Sequence, residues 1–172
     1  MPVNIKFIQM KKALLFLALS GLFSLSRAVE PMFIKGDKYL NFGAGINSYV
    51  DSRLYLYPVI DATFDYCLLD GIGKGALGVG GYAGLGFESG KYHHYFAGVR
   101  GTFHYPIVED FDTYLGASLG FCFDIDPYGH YGPYFIKGLF IGANYPLTKN
   151  IIVFGEIGTG IANINTGFTI FF

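Results

Sequence analysis

Apolar and polar residues alternate through most of the chain. Leu40, Phe42, Ala44 and Ile46 are interleaved with Asn41, Gly43, Gly45 and Asn47, and a period of two is the spacing of a half-buried strand. Ile60, Ala62, Phe64 and Tyr66 repeat the pattern against Asp61, Thr63 and Asp65. A third run takes the odd positions from Leu77 to Phe87, and a fourth those from Tyr95 to Tyr105. Leu115 to Phe123, Leu139 to Tyr145, a less regular Val153 to Thr159 and finally Phe168 to Phe172 complete the series. The pattern predicts eight antiparallel strands. Connections after the second, fourth and sixth are compact: Leu69-Asp70-Gly71, Pro106 to Asp112, and Pro146 to Asn150. Those after the first, third, fifth and seventh are polar and tyrosine-rich: Ser48 to Tyr57, Glu88 to His94, Asp124 to Pro133, and Asn163 to Thr166.

Parity sorts the charges. One face of the alternating strands holds Asp61, Asp65, Glu88, Arg100, His104, Asp124 and Glu156, and the other holds Lys137 alone. Glycine follows the charges, with Gly43, Gly80, Gly98, Gly120 and Gly142 on the polar face and only Gly81, Gly101 and Gly155 on the apolar one. A barrel of eight strands is barely wide enough for its own side chains. The small residues therefore belong inside, and the apolar face must point out. An outward apolar face is viable in lipid, and lipid requires a closed sheet with no unpaired edge. A soluble lipocalin-type barrel would show the opposite parity.

Composition agrees. Of 172 residues, 52% are hydrophobic and 15% charged, with 25 Gly, 18 Phe, 14 Tyr and no Trp. A soluble domain carries about 25% charged residues. The formal net charge of −1 leaves no basic surface, so no nucleic-acid partner is expected. Lys11 and Lys12 precede an apolar stretch from Ala13 to Leu25 and the small-residue site Ser26-Arg27-Ala28. That is the order of a secretory signal peptide, expected over residues 1–28, with the barrel over 29–172. The stretch is shorter than the roughly 20 residues a spanning helix needs.

Signal, eight alternating strands and a terminal Phe172 on the same face as Ile170 and Phe168 resemble the small bacterial outer-membrane barrels of the OmpA transmembrane domain and of opacity-like surface proteins. The resemblance covers residues 38–172 and is one of layout. It implies an integral outer-membrane protein with both termini in the periplasm. It also implies Phe168, Ile170 and Phe172 as the strand recognised by the barrel-assembly machinery. The outer-membrane bilayer is then the first partner. No periplasmic peptidoglycan-binding domain is expected after the last strand. Tyr66, Tyr105 and Tyr145 end alternate strands with outward parity, as an aromatic girdle at the water–lipid boundary does.

Inside, Arg100 needs an acceptor, because an unpartnered buried cation is very costly. Glu156, Asp61 or both are expected to pair with it. His104 shares their parity and is expected to meet Asp65. Such a network serves as a polar plug rather than a gate in so narrow a tube. Enzymes exist among barrels of this size, notably lipid A deacylases and palmitoyl transferases. The deacylase pattern sets a Ser two residues after the catalytic His. After His93, His94, His104 and His130 the chain has Tyr95, Phe96, Pro106 and Gly132 instead.

His93, His94 and His130 sit near Asp124 and Asp126 at the loop end, but adjacent residues of a strand point apart. They are expected to be exposed loop histidines, with no metal or cofactor bound. Cys67 and Cys122 lie at opposite ends of the barrel and are expected to be free thiols. Tyr49, Tyr55, Tyr57, Tyr92, Tyr128 and Tyr131 form either a surface for an external ligand or an upper aromatic belt. The reading is a non-enzymatic envelope protein with a structural or surface-interaction role. The alternatives are a lipid-modifying enzyme and a narrow channel or export-accessory barrel.

Overall fold

The computed structural model describes the backbone of residues 32–50, 54–88, 92–108, 111–126 and 129–172. It describes the side chains of all of these except 48–50, 54, 55, 92, 126 and 129–132. The signal expected over residues 1–28 lies outside the described residues. So do Asp126, His130, Tyr49, Tyr55, Tyr92, Tyr128 and Tyr131 as side chains.

The strands run up and down in chain order: β1 (Lys38–Val50), β2 (Leu54–Ile72), β3 (Gly75–Glu88), β4 (Tyr92–Val108), β5 (Phe111–Asp126), β6 (Gly129–Pro146), β7 (Ile151–Gly158) and β8 (Ile164–Phe171). Each pairs antiparallel with the next, and β8 closes on β1, with Phe42 opposite Phe168 and Gly43 opposite Gly167. The all-β, eight-stranded barrel read from the sequence is the fold observed.

The strands are longer than the hydrophobic pattern implied. The stretches Ser48 to Tyr57, Glu88 to His94 and Asp124 to Pro133 were expected as loops but are strand for most of their length. Backbone pairing does not require apolar side chains, so the hairpins continue past the point where alternation fades. Short irregularities accommodate local chemistry. Between Cys122 and Asp124 the ladder shifts, because β6 carries an extra residue at Gly132-Pro133, and proline cannot donate to a ladder. β7 and β8, at 8 residues each, form a low wall. There residues 159–163 turn inward: Asn47 Nδ2 donates to the carbonyls of Gly160 (3.1 Å) and Ile161 (2.7 Å).

Exposure is inverted relative to a water-soluble protein. Leu139 is 71% exposed and Ile141 64%, whereas Arg100 is 6% exposed and Asp112 1%. The interior has three tiers. Phe33, Tyr39, Cys67, Ala76 and Ile152 pack at the turn end. Ionic and amide groups occupy mid-height. Tyr57, Val59, Tyr82, Phe96 and Cys122 pack toward the loop end.

Candidate functional site

Mid-height is organised around Arg100 on β4. Its Nη2 donates to Glu156 Oε1 on β7 at 2.6 Å. Its Nε lies 3.2 Å from Asp65 Oδ1 on β2, an ionic contact, and the guanidinium sits 4.4 Å from the Phe140 ring centroid. Tyr114 Oη also donates to Glu156 Oε1, at 2.9 Å. Of the two acceptors expected for Arg100, Glu156 or Asp61 or both, Glu156 is the one in contact; Asp61 lies nearer the loop end, where it accepts from Asn165 Nδ2 at 2.8 Å. The reason is register. Asp65, Gly80, Arg100 and Ser118 lie opposite one another across four strands, whereas Asp61 is level with Gly84 and Phe96. A cavity of about 20 Å³ remains beside Arg100, Ser118 and Glu156.

The turn end holds a second buried network. His104 Nδ1 is 2.7 Å from Asp112 Oδ2, and Nε2 is 3.2 Å from Thr102 Oγ1. Asn144 Nδ2 donates to the same Asp112 oxygen at 3.1 Å. Asp112, not Asp65, therefore holds His104; the expected turn there is shorter, and β5 begins at Phe111. The order hydroxyl–imidazole–carboxylate is that of a nucleophile, base and orienter. Here Thr102, His104 and Asp112 are each at most 3% exposed, and Phe33 packs at a tilt against the imidazole with ring centroids 4.3 Å apart. A substrate would have to displace the core to reach Thr102.

Phe33 is a feature that sequence reasoning missed. It precedes β1, is fully buried, and closes the turn end from inside. The segment that carries it is tied down by Gly36 N to Cys67 O (3.1 Å), Tyr39 Oη to Met32 O (3.0 Å) and Lys35 N to Asp70 Oδ2 (3.0 Å).

At the loop end, His93 and His94 point apart as a strand requires. His93 packs edge-on against Phe87. His94 was expected to be exposed but turns inward and is 9% exposed. Its Nδ1 lies 2.7 Å from Asp124 Oδ1 and its Nε2 3.3 Å from Glu88 Oε2. Tyr57 lies in neither a contact surface nor a belt. It is buried, with its ring centroid 4.6 Å from that of His94. Cys67 and Cys122 are free and buried.

The outer wall carries the remaining candidates. Tyr66 and Tyr145 are exposed and Tyr105 is half-buried, all at the turn end. Phe168, Ile170 and Phe172 project outward from the last strand, whose end is held by reciprocal bonds between Lys38 and Phe172, both 3.1 Å. A groove of about 870 Å³ runs along this wall past Phe103, Leu115, Ile141, Gly155 and Ile157. Its two threonine hydroxyls are committed to the backbone: Thr113 donates to Tyr105 O (2.6 Å) and Thr166 to Phe154 O (2.8 Å).

A closed, up-and-down barrel with ionic groups inside and hydrocarbon outside is the class this chain defines. No protein-family model matches it, and no curated protein does. Among solved structures it is similar to the crystal structure of Ail, the attachment invasion locus protein of Yersinia pestis. The identity is 13% over 80% of this chain and 96% of that one, with a TM-score of 0.49. The structure of Ail in complex with the heparin analogue sucrose octasulfate matches at 14% identity over the same shares, with a TM-score of 0.46.

Proposed function

We propose that the chain is an integral protein of the bacterial outer membrane, non-enzymatic, with a structural or surface-interaction role in the envelope. The observation that carries this is the inverted wall. Val99, Leu115, Leu139 and Ile157 are each more than half exposed, while Asp65, Arg100 and His104 are buried. Water would penalise the first set, and lipid would penalise the second set if it faced outward.

In this reading the turn end faces the periplasm, and Tyr66, Tyr105 and Tyr145 sit at that boundary with rings in lipid and hydroxyls in water. Residues 1–28 act as the cleaved export signal, and Phe168, Ile170 and Phe172 present the strand that the assembly machinery takes up. The strands of the hairpins β1–β2, β3–β4 and β5–β6 are longer than β7 and β8, and the tyrosine-rich sequence joining them is the candidate contact for an external ligand. A plug favours a non-conducting barrel: Phe33 fills one end, Arg100 and its partners the middle, and Tyr57 and Phe96 the other.

Fractionation of expressing cells tests the reading. The protein is expected in the outer membrane, with migration on a gel that changes when the sample is boiled. Recovery in the soluble fraction would overturn it. Purified protein mixed with lipid A is expected to release no acyl chains, and planar bilayers containing it to show no current steps.

A further inference from the structure

We propose that His94, Cys122 and Asp124 form a binding site for a divalent transition metal of the zinc class in the loop-end mouth, with Glu88 orienting the histidine. Inward parity puts all three on one face of two neighbouring strands. His94 is opposite Asp124 and Phe96 opposite Cys122 in the β4–β5 ladder. One ligand atom from each lies within 4.8 Å of the others. Asp124 Oδ1 is 2.7 Å from His94 Nδ1 and 3.3 Å from Cys122 Sγ.

Zinc takes nitrogen and oxygen ligands at about 2.0–2.2 Å and thiolate at about 2.3 Å, in a tetrahedron. Donors around such an ion stand roughly 3.5 Å apart. The present spacing brackets that value, so the His94–Asp124 pair has to open by less than about one ångström to admit the ion. A nitrogen, a sulfur and an oxygen together select a borderline ion over magnesium or calcium.

Five further observations point the same way. Glu88 Oε2 lies 3.3 Å from Nε2 of His94, the ring nitrogen that faces away from Asp124. A carboxylate on the second nitrogen fixes the tautomer and the ring direction of a metal-ligating histidine. Tyr57 packs on the imidazole, and Tyr134 Oη is 3.3 Å from Asp124 Oδ1, so the ring and the carboxylate are both held. The ladder is irregular between Cys122 and Asp124, and bulges at a barrel rim commonly re-aim side chains at a site. Access is graded: Cys122 is fully buried, while the Asp124 and Glu88 side chains are 26% and 30% exposed.

The ion would enter from the mouth, and the thiol proton would leave to solvent as the thiolate bond forms. Three protein ligands leave a fourth position toward the mouth, where water or an external donor completes the tetrahedron. The proposal does not rest on the membrane reading, since a barrel in any solvent would keep this mouth.

Cobalt(II) reports on the site directly. The full-length protein, extracted in detergent and stripped with a chelator, is titrated with Co2+ and then with Zn2+. One equivalent of Co2+ is expected to bind, giving thiolate-to-cobalt absorption in the near ultraviolet and intense tetrahedral bands in the visible. One equivalent of Zn2+ should abolish both. Cys122→Ser should remove the ultraviolet band, Cys67→Ser should leave it, and Asp124→Asn or His94→Gln should weaken binding at least tenfold. Glu88→Gln should weaken it about 10- to 100-fold through the histidine alone. Boiling-dependent gel migration controls for folding in each variant. A wild-type protein with no thiolate band would overturn the proposal without any variant. So would a band that survives in folded Cys122→Ser, or binding unchanged in folded His94→Gln and Asp124→Asn.

Discussion

Arg100 reaches Asp65 across Gly80, which stands between them in the ladder. A methyl group at Gly80 would meet Asp65 Oδ1 at 2.8 Å and run into the Phe64 carbonyl. The arrangement recurs. Gly142 separates Tyr114 from Glu156, and a methyl on Gly43 would meet both Asn165 and Asp61 at 2.7 Å. Inside so narrow a barrel, glycine is the gap through which next-nearest strands make polar contacts. Gly80→Ala is therefore expected to cost about 1–3 kcal/mol by overpacking, read as a lower midpoint in denaturant unfolding. Gly155 faces outward with nothing within 4 Å of an added Cβ, and Gly155→Ala should stay within about 0.5 kcal/mol. Arg100→Gln leaves Asp65 and Glu156 without their cation and should cost about 3–5 kcal/mol. Adding Glu156→Gln should recover part of that loss. Parity alone put Arg100, Glu156, Asp61 and Asp65 inside. It could not choose between the two aspartates, because they share a face, and only the stagger between strands decides which is level with Arg100.

At the scale of elements, the strands were legible and their ends were not. Alternation of apolar and polar residues marks the part of each strand that separates two environments. The hairpins continue beyond it, where both faces meet polar surroundings and no periodicity survives. His94 was misplaced for this reason: it sits in a stretch read as loop, yet the ladder carries it inward. Phe33 was missed because it belongs to a short turn with no period at all, held by Asp37 and Asp70 through backbone donors. Phe33→Ala removes the aromatic centre of the turn-end cluster, and a buried Phe→Ala change costs about 3–5 kcal/mol. It should also expose Cys67, which is fully buried and 3.9 Å from the Phe33 carbonyl through its sulfur. A water-soluble thiol reagent is expected to label Cys67 in a Cys122→Ser background much faster in Phe33→Ala than with Phe33 in place. Equal labelling rates would mean that the turn end is open without that mutation.

At the scale of the whole molecule, one arrangement organises the rest: the wall presents hydrocarbon outward and the lumen is filled. The tall strands, 13 to 19 residues in β1 and β2, overtop the roughly 9–11 residues needed to span a bilayer. The 8-residue β7 and β8 fall near that limit, so the barrel has a high side and a low side, with the mouth network on the high one. Leu139 tests the arrangement most directly. It is 71% exposed and lies one residue from Gly138, which shares a level with Ser118 and Arg100 near the middle of the wall. The measurement is the unfolding free energy of the wild type and Leu139→Arg, each folded into lipid bilayers. The expected result is a loss of about 2–4 kcal/mol, the cost of arginine at the bilayer midplane. A change within about 0.5 kcal/mol, as for a substitution on a water-facing surface, would contradict it.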